Sequence, residues 1–135
     1  MKKIQAIIEK NSDGGYSVYC VNESFSGMGD TPEGAKEDMI KSMSFFAETA
    51  KQNNFQYPAW LDGQYDIEYK FDAASLLTYY AGIITPAALS RLTGINPKQI
   101  WAYAHGKSKP RPAQLQKIEQ GLRKLAAELS TVSLL

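Results

Sequence analysis

Between Thr85 and Arg111 the chain gathers side chains suited to recognising a charged polymer: Thr85, Asn96, Lys98, Gln99, Trp101, Ala102, His105, Lys107, Lys109 and Arg111. Asn96-Pro97 is a helix start and Gly106 a helix stop, so Asn96, Lys98, Gln99, Trp101, Ala102 and His105 fall on the N-terminal end or outer face of one short helix. Such a helix fits the major groove of duplex DNA. There Lys donates to guanine acceptors, Gln forms paired hydrogen bonds with adenine, and an Ala methyl touches thymine. Lys107, Lys109 and Arg111 leave the helix as a cationic loop able to anchor phosphates. Each residue also has a plainer use. Lys98 and Gln99 can simply face solvent, Trp101 can pack or join a dimer, His105 can serve a helix dipole, and a basic run can be a solvated loop. The combination favours DNA.

The elements that must position these residues are short and heavily punctuated. Asp72 can cap a helix through about Ala81, ended by Gly82; Thr85-Pro86 starts a second helix, ended by Gly94; Asn96-Pro97 starts the third. The turn Gly94-Ile95-Asn96 lets the second and third helices cross steeply, with Leu89, Leu92, Ile95, Ile100 and Tyr103 between them. A fourth helix opens near Pro112 and carries Leu115, Ile118, Leu122, Leu125 and Leu129 at spacings of three and four. That seam packs on the helical module or joins two copies.

The residues before this region have a different character. Ile4, Ala6 and Ile8 alternate along a strand, Asn11-Ser12-Asp13-Gly14-Gly15 supplies a turn, and Tyr16, Val18 and Cys20 alternate along the return. A third strand lies near Gly27-Met28-Gly29. Thr31-Pro32-Glu33 then starts a helix running to about Lys51, with Ala35, Met39, Met43, Phe46 and Ala50 on its inner face and Lys36, Lys41 and Glu48 wet. Tyr65, Ile67, Tyr69 and Phe71 alternate with Asp66, Glu68, Lys70 and Asp72 in a further strand. The predicted class is α+β: β-β-β-α-β over residues 1–72, then an all-α module over 73–135.

Charge divides at the same place. Residues 1–72 hold seven lysines against twelve carboxylates, a net −5; residues 73–135 hold eight basic side chains against two acids, a net +6. A cationic module lowers its free energy on a polyanion by releasing counterions, whereas an acidic one is repelled. Other classes are excluded more simply. A length of 135 residues is too short for a large multidomain enzyme, and 44% hydrophobic residues suit a globular chain over a disordered one. One cysteine, Cys20, and one histidine, His105, give neither a disulfide framework nor a Cys/His metal cluster, so no metal or cofactor is expected. The apolar runs are too short to span a membrane, and a cytoplasmic location follows. Catalysis is not expected. A metal-dependent nuclease built on Asp66 and Glu68 lacks converging acids and has no histidine in its domain.

Two resemblances add to this reading. The segment Pro86-Ala-Ala-Leu-Ser-Arg-Leu-Thr-Gly-Ile-Asn-Pro-Lys-Gln-Ile-Trp-Ala-Tyr-Ala-His-Gly-Lys-Ser-Lys-Pro110 resembles the Xre or lambda-repressor-like helix-turn-helix. That likeness implies major-groove reading by Asn96, Lys98, Gln99 and Ala102 on paired half-sites bound by a dimer. Pro86 and Pro97 stand where the family carries polar groups, and Thr85 is placed to compensate for the first. The segments Ile4-Gln-Ala-Ile-Ile-Glu-Lys-Asn-Ser-Asp-Gly-Gly-Tyr-Ser-Val and Gly29-Asp-Thr-Pro-Glu-Gly-Ala35 resemble HicB-type antitoxins, whose sheet is a degraded ribonuclease H-like fold. Val21-Asn-Glu-Ser-Phe-Ser-Gly27 replaces that family's proline-aspartate loop. The implied role is to mask a small basic HicA-like ribonuclease toxin and repress the cognate operon. The partners expected are therefore double-stranded operator DNA, that toxin and further copies of the chain. The alternative is a free-standing helix-turn-helix regulator whose N-terminal domain oligomerises or senses a ligand.

Overall fold

The computed structural model describes all residues, 1–135. It is an α+β protein with one four-stranded mixed sheet and five α-helices, divided into two compact units, Met1–Asp72 and Ala73–Leu135. No helix is long and apolar enough to cross a membrane.

In the first unit β1 (Lys2–Lys10), β2 (Tyr16–Cys20) and β3 (Ser26–Gly29) form an antiparallel meander. The turn after β1 closes through Asn11 N–H to Gly15 O at 2.7 Å, and Gly14 takes a φ of 100° that L side chains rarely adopt. Helix α1 (Pro32–Gln52) starts where Thr31 Oγ1 accepts from Gly34 N–H at 3.0 Å and Pro32 fills the first turn. The chain then crosses to the far edge, where β4 (Tyr65–Phe71) lies parallel to β1, pairing Ile4 with Ile67 and Ile8 with Phe71. The strand order is β3-β2-β1-β4. A 3₁₀ turn, Ala59–Leu61, precedes β4 and carries Trp60 against Phe25 and Tyr65.

The core of this unit joins Ile4, Ala6, Ile8, Tyr16, Val18 and Cys20 from the sheet to Ala35, Met39 and Met43 from α1. One expectation fails here. Phe46 is 45% exposed, and Ala47 takes the inner position in its place. The buried stripe runs through Ala35, Met39, Met43, Ala47 and Ala50, so Phe46 falls beside it and turns to the flank, where it meets Phe25. A Cβ on Gly27 would sit 2.4 Å from Ala35 O and one on Gly29 would sit 2.7 Å from Ala35 N, so strand and helix meet backbone to backbone at the start of α1.

The second unit contains α2 (Ala73–Tyr79), α3 (Pro86–Thr93), α4 (Pro97–Ala104) and α5 (Pro112–Leu129). Its core is Leu77, Leu89, Ile95, Ile100, Tyr103 and Ile118, with Leu122 packed against it. Helix α2 stops two residues earlier than the sequence predicts. Gly82 does not have a positive φ, and residues 80–84 form turns in which Ile83 and Ile84 donate to Tyr80 O at 2.9 and 2.7 Å. Leu92, expected in the core, is half-buried. The α5 seam packs only through Ile118 and Leu122; Leu129 is 60% exposed, so the seam continues past the core as an unpartnered apolar stripe. Gly121 lets α5 approach α3, because a Cβ there would stand 2.9 Å from Thr93 Cγ2.

Candidate nucleic-acid interface

Local chemistry fixes α3 and α4 tightly. Thr85 Oγ1 accepts from Ala88 N–H at 3.0 Å, capping α3, and its own O–H remains a donor. At the other end Gly94 adopts φ 77° and donates to Ser90 O at 2.8 Å. Thr93 Oγ1 donates to Leu89 O at 2.6 Å and accepts from Ile95 N–H at 3.1 Å, which ties the turn to the helix it leaves. Ile95 is buried and pins the turn to the core. Asn96 Oδ1 then accepts from Lys98 N–H at 2.9 Å and starts α4.

The stop of α4 is equally defined. Lys107 N–H reaches back to Ala102 O at 2.9 Å and Gly106 N–H to Tyr103 O at 3.2 Å, with Gly106 at φ 69°. This pair of bonds is a Schellman closure, which satisfies the last carbonyls and turns the chain sharply away from the helix axis. From α2, the single Thr78 hydroxyl proton is shared between Ala74 O at 2.9 Å, in its own helix, and Ala104 O at 3.2 Å. Thr78 thus holds the C-terminal end of α4, a role that no sequence periodicity marks.

With Ile100 and Tyr103 turned inward, α4 presents Lys98, Trp101 and His105 to solvent, with Gln99 and Ala102 half-buried. Asn96 is exposed at the helix start, its side-chain oxygen committed to the cap. Trp101 is 48% exposed and stacks on His105, ring centroids 4.0 Å apart at 20°. The His105 Nδ1 lies 2.9 Å from Trp101 O, a carbonyl oxygen that can only accept, so Nδ1 is the donor. Gln99 Nε2 donates to Ser108 Oγ at 3.3 Å, which brings the first turn of α4 against the cationic loop. Thr85 contributes a cap at the other end of the helix pair.

Lys107, Lys109 and Arg111 are all exposed. Arg111 occupies the N-cap position of α5, and no side chain caps that helix, so its first amides stay free beside a cationic residue. Of the two acids in this unit, Glu119 pairs with Arg123 on α5 at 3.6 Å, leaving the α4 exit uncompensated. The surface offers one cationic step along an exposed helix end and loop. Ser108 and Thr78 belong to it and carry no signal in the sequence.

The first unit has no comparable cationic surface. Asp66 and Glu68 lie exposed on the outer face of β4, Glu68 beside Lys70 at 3.9 Å, and no group of three or more His, Cys, Asp or Glu side chains comes together to hold a metal ion. Its exposed apolar feature is a groove of about 380 Å³ lined by Ser24, Phe25, Ser42, Phe45, Phe46 and Thr49. Phe45 is 71% exposed, and Phe25 meets Phe46 edge to face at 5.5 Å. Exposed aromatic pairs of this size mark protein contact surfaces more than solvated ones.

No protein family, curated protein or solved structure matches the chain.

Proposed function

We propose that this protein is a non-enzymatic antitoxin and autorepressor of the HicB type. The helical unit is a lambda-repressor-like helix-turn-helix that binds operator DNA, with α4 as the recognition helix. The sheet unit is a degraded ribonuclease H-like domain that masks a small basic HicA-like ribonuclease. The observation that carries the reading is the exposed Lys98 and half-exposed Gln99 at the start of a helix whose exit delivers Lys107, Lys109 and Arg111. Opposite net charges on the two units support the division of partners, and the groove at Phe25, Phe45 and Phe46 supplies an apolar anchor point for a cationic protein. The bare leucine stripe on α5 supports a homodimer or a higher assembly, as paired half-sites require.

The test couples both activities. Co-expression with the adjacent reading frame should retain a small basic protein on the tagged chain, and footprinting upstream of the pair should show two protected half-sites about one helical turn, ~34–36 Å, apart. Protection without a retained partner would leave a free-standing regulator, and failure of both would reject the reading.

A further inference from the structure

The sheet has two edges, and they are finished differently. The β3 edge is four residues long, and Met28 there gives its N–H to the Asp38 carboxylate of α1 at 2.9 Å. That edge is blunted. The opposite edge is β4, seven residues long. Asp72 N–H donates to Ile8 O at 2.9 Å in the parallel ladder, and alternate residues of a strand turn their backbone groups to opposite sides, so Asp66, Glu68 and Lys70 face β1. Tyr65, Ile67 and Tyr69 aim theirs outward, and nothing in the chain meets the N–H and C=O of Ile67 or Tyr69. Helix α1 lies mainly over β2 and β3, which leaves Tyr65, Ile67 and Tyr69 half-buried. A bare ladder therefore runs beside half-covered apolar side chains.

The pattern of β4 names what completes it. Set antiparallel against its own copy about an axis at Glu68, the strand places Asp66 opposite Lys70 of the second copy and Lys70 opposite Asp66. All three of these charged residues are exposed. On the other face the same register sets Ile67 opposite Tyr69 on both sides of the axis, each pair exchanging both N–H···O bonds. Opposite charges and aromatic with β-branched side chains are favourable cross-strand combinations. Glu68 meets its own copy, the one like-charged pair. We propose that the β4 edge pairs with β4 of a second copy, antiparallel and centred on Glu68, so that one sheet runs through both. This surface is distinct from the α5 stripe, and the proposal does not rest on the antitoxin or DNA-binding reading.

The test uses the full chain with cysteines at exposed positions, oxidised and run on a non-reducing gel; the native Cys20 is buried. Non-hydrogen-bonded antiparallel partners have Cα atoms about 4.5 Å apart, within reach of a disulfide. Glu68→Cys should crosslink to its copy far more than Asp13→Cys in the β1–β2 turn. Asp66→Cys alone should not, because the two copies of that position lie roughly 13 Å apart along the strands, but mixed with Lys70→Cys it should. Sedimentation would follow in a Leu125→Asp, Leu129→Asp background, which removes the α5 stripe. There Asp66→Lys and Lys70→Asp should each weaken self-association about tenfold, their combination should restore it, and Glu68→Gln should tighten it. Crosslinking at 68 no stronger than at 13, or equal at 66 alone and at 68, overturns the proposal, as does a combined swap that fails to recover. Capture of a foreign polypeptide at position 68 in place of the second copy overturns it too. Loss of the toxin or operator reading, with the crosslink at 68 intact, leaves it standing.

Discussion

At the scale of single residues, the proposed DNA-binding function divides the α4 surface into groups expected to read bases and groups expected to fix register. Gln99→Ala should weaken a selected operator by about 1–3 kcal/mol while leaving random duplex nearly unaffected. Lys109→Ala should weaken both and flatten the logarithmic salt dependence by about 0.9, measured by titration across a salt series. The exposure of Lys98, Trp101 and His105 was legible in the sequence, because Ile100 and Tyr103 define the inner face of an eight-residue helix and fix the outer one by subtraction. The Gln99 tether to Ser108 and the Thr78 bond to Ala104 were not legible. Both join residues whose proximity exists only after packing, and neither leaves a period in the chain. Phe46 was misplaced for a related reason. Helical spacing allows a step of three or of four after Met43, and only packing shows that the step of four, to Ala47, is the one taken.

At the scale of elements, glycines decide where helices end and how closely they pack. Gly94 and Gly106 were readable as stops, and both have a positive φ; Gly82 looked similar in sequence and does not. Gly121 carried no mark at all, since a glycine inside a helix ordinarily only weakens it. Its replacement by alanine should destabilise the helical unit by about 1–3 kcal/mol through the Thr93 contact, seen as a lower denaturant midpoint. The end of α1 is stapled differently. Lys51 Nζ meets Asp62 Oδ1 at 2.6 Å, and Tyr57 donates to Asp62 Oδ2 at 2.5 Å. The Lys51 ammonium first, then the Tyr57 hydroxyl, hold the Asp62 carboxyl below its usual range, while Asp62 raises both partners. A lowered acid stabilises the fold above its unfolded pKa and loses that effect as pH falls through the folded value; the raised lysine and phenol lose theirs as pH climbs through their own. Asp62→Asn should therefore lower the sheet unit's melting temperature near neutrality and leave the difference from wild type smaller in strong acid. All three groups are solvent-exposed, so the change should be small and shrink with added salt.

For the whole molecule, the class, the element order β-β-β-α-β and four following helices were readable from alternation, helical spacing and punctuation. The parallel seating of β4 beside β1 and the bare end of α5 were not, because both depend on where an element lands and not on its own pattern. Each unit has its own core, so calorimetry should resolve two transitions. Gly27→Ala, whose Cβ would lie 2.4 Å from Ala35 O, should abolish the transition of the sheet unit and spare the other. Where the proposed homodimer forms through α5, replacing Leu125 and Leu129 by Asp should halve the mass found by sedimentation, since Leu125 is only half-buried and Leu129 is exposed.

The parallel pairing of β1 with β4 also governs the order of events on the ribosome. The outer edge of β1 is open as soon as β1 forms, but its partner ends at Phe71, so a nascent chain must carry an open hydrogen-bonding edge through the whole of α1. Open edges recruit other strands. A chain in which β4 is not seated leaves that edge open, and truncation after residue 64 should give a larger insoluble fraction than truncation after residue 73.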